Sequence, residues 1–172
     1  FMALFEPAGF PPNAMSPGYG LAEVSLCISA RPAHTIPIVH HIDRRTLNTR
    51  TEVITAIEPT THSVPFVEVG TPVPGVSIRI VDNDDKIVAP GVVGHIHVRG
   101  PNVTQGYYTD RDLTAASFHN GWLRTGDLGL ILDGRLIITG RHKDVIFVGG
   151  QNFYSHDIED ALAQLPWFDT GR

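Results

Sequence analysis

Between Gly70 and Val148 the apolar residues come in short runs, several alternating with polar ones, each ending near a glycine, proline or aspartate. A period of two closed off in this way predicts strands joined by turns. "GVSIRIVDNDDKIVAPGVVGHIHVRG" reads as strand, polar turn, short strand, turn and strand. Ile78 and Ile80 share one face, and Asn83-Asp84-Asp85 supplies the turn. Pro90-Gly91 breaks the chain before a run in which Ile96 and Val98 alternate with His95 and His97. "WLRTGDLGLI" and "GRLIITGR" predict two strands meeting at Asp133-Gly134, a hairpin signal. "DVIFVGG" predicts another strand, closed by paired glycines, and "TDRDLTAASF" (109–118) a brief helix.

Upstream the pattern is weaker. Residues 1–17 are irregular, and 19–29 form a compact segment of short helix or strand. Residues 31–63 carry little periodicity, apart from "TEVITAIE" (51–58). That stretch predicts a strand with Val53, Thr55 and Ile57 on one face, after a His- and Arg-rich loop or small subdomain. Beyond Gly150 the period becomes helical, with Ile158, Ala161, Leu162 and Leu165 on one stripe. Ser155 is placed to cap this helix, Asp157 and Glu159 fall in its first turn, and Pro166 stops it. The class is therefore α+β. A β-rich body gives way to a βα segment near Gly140-Arg141, the best candidate boundary.

Composition narrows the function classes. A formal charge of −5 with no Lys/Arg cluster leaves no electrostatic footprint for nucleic acid. The single cysteine, Cys27, excludes an intrachain disulfide framework and a thiolate-rich metal site. No apolar run approaches a membrane span, and the first residues lack the order of a secretory signal, so the default location is cytoplasmic. His40-His41 and the alternating His95 and His97 could face a metal, but the remaining ligands of a zinc site are missing nearby. The chain opens on Phe1 and closes just after a helix with nothing following it to pack against. It reads as a piece of a larger protein.

Two places concentrate charge inside strand-type sequence: Thr125-Gly126-Asp127, and Gly140-Arg141-His142-Lys143-Asp144. Alone, each reads as a solvated turn, with Asp127 bonding its own backbone or Arg141 pairing with Asp144 or Asp127. In company they change meaning. "YGLAE" (19–23), "GPNVTQGYY" (100–108) with Thr114 and Phe118, "WLRTGDLG" (122–129) and "GRHKDVIFVGGQNFYSHDIE" (140–159) occur in this order. Together they closely resemble the motifs of the adenylate-forming superfamily of acyl-CoA synthetases, fatty-acyl-AMP ligases and peptide-synthetase adenylation domains. The first motif, the long spacer before "GTPVPG" and the last motif look most like the fatty-acyl-AMP ligase branch. Departures are His95, where the family usually has glutamate, and Ser155, where that branch often has proline.

The resemblance implies an architecture. Residues 1–141 would be the β-rich C-terminal part of the large AMP-binding domain, 142–144 the hinge, and 145–172 the start of the small α+β C-terminal domain. It also implies site residues. Asp127 would accept from the two ribose hydroxyls of ATP or acyl-AMP, since a carboxylate offers two oxygens to a vicinal diol. Arg141 would reach the nucleotide around ribose and phosphate, and Tyr19 and Gly20 would lie around the adenine and the acyl carboxylate. Glu23 would hold Mg, a hard cation satisfied by one protein carboxylate and several waters. Lys143 falls on the hinge position, where a residue absorbs a backbone rotation without touching substrate.

The lysines that act on the phosphates and on the acyl oxygen would lie outside this sequence, so the chain alone is expected to be inert. The expected activity of the parent is ATP- and Mg-dependent formation of acyl-AMP from a fatty or other carboxylic acid. The acyl group would pass to an acyl carrier protein. An acyl-CoA synthetase using coenzyme A, an amino-acid adenylation domain and a non-catalytic interaction module are the alternatives.

Overall fold

The computed structural model describes residues 2–48, 51–56, 58–148, 151–163 and 165. The expectations on Ile57, Gly149-Gly150 and Pro166 fall outside them. The strands in chain order begin with β1 (Gly18–Tyr19), β2 (Ser29–Ala30), β3 (Val39–Asp43), β4 (Thr55–Ala56), β5 (Ser63–Val67) and β6 (Thr71–Pro72). They continue as β7 (Ser77–Val81), β8 (Gly94–Arg99), β9 (Phe118–His119), β10 (Trp122–Leu132), β11 (Arg135–Arg141), β12 (Ile146–Val148) and β13 (Gln151–Phe153). The α-helices among the described residues are α1 (Met2–Phe5), α2 (Arg111–Ser117) and α3 (Ser155–Ala163). The α+β class is confirmed.

An antiparallel sheet in the order β11-β10-β8-β7, with β9 beside β10, is the scaffold. Both its faces are covered, which explains the near-continuous apolar runs "LGLIL" and "RLII". Leu128, Leu130 and Ile137 pack on one side with Ile42, Val64, Phe66 and Tyr154. Ile80, Ile96, Val98, Leu123 and Leu136 pack on the other with Val24 and Ile28. The hairpin at Asp133-Gly134 forms as the sequence implies, with both residues at positive φ.

Thr125-Gly126-Asp127 is not a turn. β10 runs straight through it. Arg124 pairs with His97 and Leu128 with His95, so four steps along β10 match two along β8. The surplus is absorbed by a bulge at Gly126, whose φ of 80° suits glycine. Thr125 ties the bulge down: its hydroxyl donates to the Ile96 carbonyl (2.9 Å) and accepts from the Asp127 amide (3.1 Å).

Elsewhere the structure departs from the expectations in five places. The short strand expected between Asn83-Asp84-Asp85 and Pro90 shrinks to a single bridge, Ile87 to Val81, because the turn brings only that residue back alongside β7. The strand over 51–58 shrinks to β4, because the Val53 amide is spent on the Gly91 carbonyl (2.8 Å). The segment between 31 and 63 contains β3, and together with β4 and β5 it makes a three-stranded sheet. β5 and β13 have no counterpart in the sequence reading. Finally, the apolar strand predicted in "DVIFVGG" is largely exposed, and of its residues Val145 packs against the core. Ile146, Phe147 and Val148 are 47%, 72% and 58% exposed, since β12 and β13 form a two-stranded ribbon with no further strand beside it among the described residues. α3 starts at Ser155 itself, and Ile158 on its apolar stripe is 39% exposed.

A charged knot ties the small sheet to the large one. Glu68, just after β5, is 1% exposed and is paired with Arg31 and with Arg135 at the start of β11 (3.0 Å), while the His40 ring stands 3.5 Å away. A carboxylate so deeply buried is tolerable only because it is paired.

Candidate active site

The bulge in β10 turns Asp127 toward two partners supplied by distant segments. Asp127 and Arg141 are directly opposite in the β10–β11 register, and Arg141 Nε donates to Asp127 Oδ1 at 3.0 Å. The other oxygen, Oδ2, accepts from the Tyr19 hydroxyl at 2.5 Å, across 108 positions of sequence. Asp127 is only 5% exposed, so these charge-assisted bonds decide its orientation. Burial, and then the bond to Asp127, push the Tyr19 phenol well above its ordinary pKa, so Tyr19 stays a donor. The bond to Asp127 likewise raises Arg141. Two of roughly four acceptor sites on the carboxylate are taken, which leaves capacity for hydroxyl donors.

Arg141 and Lys143 flank a recess of about 280 Å³ whose other walls are Thr125, Gly126 and His142. Residues 142–144 form a single 3-10 turn, entered from an extended Arg141. Lys143 is exposed in that turn. The neighbouring His142 ring meets His95 edge-on at 4.8 Å. His95 sits where burial and this neighbour lower its pKa. His97, on the same strand, bonds Arg79 (3.2 Å) and lies 3.8 Å from Asp85. Burial, then Arg79, depress its pKa to about 4.

Gly20 has a packing reason to be glycine: a Cβ there would stand 1.4 Å from the Leu26 carbonyl oxygen. Glu23 lies in the 3-10 turn Ala22–Val24. Its carboxylate oxygen Oε1 accepts from the Tyr107 hydroxyl at 2.9 Å. With one oxygen accepting from a neutral hydroxyl, the carboxylate has further oxygen sites to offer, which is chemistry a hard divalent cation can use.

Tyr19, Asp127 and Arg141 thus come together in one cluster, and Glu23 forms a second with Tyr107. Lys143 stands beside the first cluster. Tyr107 and Thr125 are missing from the residues picked out in the sequence. Both lie inside the quoted motifs, but neither spacing nor composition reveals that Tyr107 reaches back 84 positions.

A family model described as AMP-binding enzyme matches residues 5–108. A long-chain-fatty-acid–AMP ligase of Mycobacterium tuberculosis is 36% identical over 96% of this chain and 30% of its own length. A solved structure from work on fatty acyl-adenylate ligases of E. coli and L. pneumophila is 35% identical. It superposes with a TM-score of 0.88 over 99% of this chain and 31% of that one. The adenylation domain of a keto acid-selecting nonribosomal peptide synthetase module, bound to a keto acyl adenylate, is 29% identical with a TM-score of 0.77, over 96% of this chain and 30% of that one. The chain therefore spans about 30% of the length of these relatives. With a family model matching more than half of it, the chain belongs to the AMP-binding enzyme family of adenylate-forming ligases.

Proposed function

We propose that this chain is the nucleotide-holding and pivoting part of an ATP-dependent ligase that activates a fatty or other carboxylic acid as acyl-AMP and passes the acyl group to a carrier protein. The observation that carries the reading is the Asp127 carboxylate, set on a bulge and clamped between Tyr19 and Arg141. Preorganised in this way, it can accept from a vicinal diol with little orientational entropy left to lose. Arg141, half-exposed beside the recess, can swing its guanidinium toward ribose or phosphate oxygens while staying charged. Tyr19 and Gly20 border the adenine and the acyl carboxylate. Glu23 holds Mg, which when bound supplies positive charge beside the phosphates.

Residues 1–141 belong to the large domain, 142–144 to the hinge and 145–172 to the start of the small domain. The fatty-acid substrate class is supported by the names of the relatives, a fatty-acid–AMP ligase and a fatty acyl-adenylate ligase. Full-length protein incubated with ATP, Mg and a panel of medium-chain, long-chain and aromatic acids should release pyrophosphate in an acid-dependent way. Background release across the panel would remove the reading. Offering carrier protein and coenzyme A separately then identifies the acceptor.

A further inference from the structure

The motif "GPNVTQGYY" lies on the loop between β8 and α2, and four polar groups of that loop meet the segment carrying Glu23. The Thr104 amide donates to the Glu23 carbonyl at 2.7 Å. Asn102 Nδ2 donates to the carbonyls of Val24 (3.1 Å) and Cys27 (3.3 Å), and the Ser25 hydroxyl donates to the Asn102 carbonyl (3.1 Å). The Tyr107 hydroxyl completes the set on Glu23 Oε1. Tyr107 is itself anchored: its amide donates to the Thr114 hydroxyl at 2.9 Å, and that hydroxyl donates to the Asp110 carbonyl at 2.6 Å. Gly106 allows this approach, since a Cβ there would lie 2.6 Å from the Thr114 methyl.

Glu23 is therefore held at its backbone and at its side chain by one loop, which is in turn fastened to α2. A lysine or arginine could orient the carboxylate as well, but its charge would oppose a cation at the same oxygens. A phenol orients without neutralising. We infer that Tyr107 is a positioning residue that presets the Glu23 carboxylate for a divalent cation, and that the 100–108 loop exists to hold that geometry. The inference rests on the reading of Glu23 as the magnesium residue.

The test is calorimetric titration of full-length enzyme with a non-hydrolysable ATP analogue, with magnesium and with EDTA. The ratio of the two dissociation constants measures the metal-dependent part of binding, without turnover. Removing a group that orients a metal ligand commonly lowers metal affinity by about 10-fold or more. Tyr107→Phe should reduce the ratio by roughly that factor while leaving metal-free affinity unchanged. Glu23→Gln should reduce it further. If Glu23→Gln leaves the ratio intact, the magnesium reading falls and takes the inference with it. If Glu23→Gln acts and Tyr107→Phe does not, only the inference falls. It also falls if Tyr107→Phe weakens metal-free binding equally, because the loop's role would then be general support.

Discussion

At Asp127 the local chemistry is a balance between a carboxylate kept from water and two donors that replace the water. Tyr19 contributes a neutral bond and Arg141 a charged one, and the raised pKa of Tyr19 keeps that phenol protonated across the physiological range. Replacing Asp127 by alanine removes the acceptor from both partners. Nucleotide binding should weaken by about 10- to 100-fold, the 1.5–3 kcal/mol typical of a hydrogen bond to a charged group. Titration of full-length protein with an acyl-AMP mimic checks this, and an unchanged dissociation constant would return Asp127 to a structural role. Asp127→Asn should be the milder change for folding, because it keeps an oxygen for the buried phenol of Tyr19. Asp127, Arg141 and Glu23 stand out in the sequence as candidates because each sits in a motif with local spacing. Tyr107 and Thr125 were not, because a partner 84 residues away or a bulge-fastening hydroxyl leaves no periodic trace.

The elements show where the pattern of apolar positions is a good guide and where it fails. Strands β7, β8, β10 and β11 were legible because their apolar runs are long and their turns carry strong residues. β5, with proline and phenylalanine in "SVPFV", and the three-residue β13 exist only because a neighbouring strand pairs with them. β11 contains a second irregularity: Leu128 faces Gly140 but Gly129 faces Ile138, so Thr139 is left over. Gly140 then lies against the Tyr154 ring, where a Cβ would approach Cδ1 to 2.5 Å, and Tyr154 is 1% exposed. Gly140→Ala should accordingly destabilise by about 1–3 kcal/mol, the usual range for overpacking. A urea midpoint measures it. The loss should shrink when Tyr154→Leu is added in a double-mutant cycle, whereas strict additivity would show that the ring is not what the methyl meets.

At the scale of the molecule, the segment after the 142–144 turn is fastened to the body through Val145, Asn152 and Tyr154. Tyr154 enters the core beside Leu130 and Ile137, and Asn152 Nδ2 donates to the Leu47 carbonyl at 3.0 Å. If this turn is the pivot between two half-reactions, fixing its backbone should affect them unequally. His142→Pro suits the orientation seen here: proline is tolerated at the first position of a helical turn, and the preceding Arg141 is extended, with φ −102° and ψ 137°. Acyl-AMP formation and acyl transfer, measured separately in the full-length enzyme, should change by different factors. Equal losses would remove the pivot. Lys143→Ala, at an exposed side chain, should leave both nearly unchanged. The family and the α+β class could be read from the chain alone, because strand period, turn chemistry and ordered motifs are local properties that neighbouring residues carry together. Several things came only with the third dimension: the bulge under Asp127, the Tyr19 and Tyr107 hydroxyls on their carboxylates, the buried Glu68 knot and the Tyr154 anchor. Each depends on registers and approaches between segments tens of residues apart, and these are decided by which surfaces can be buried together.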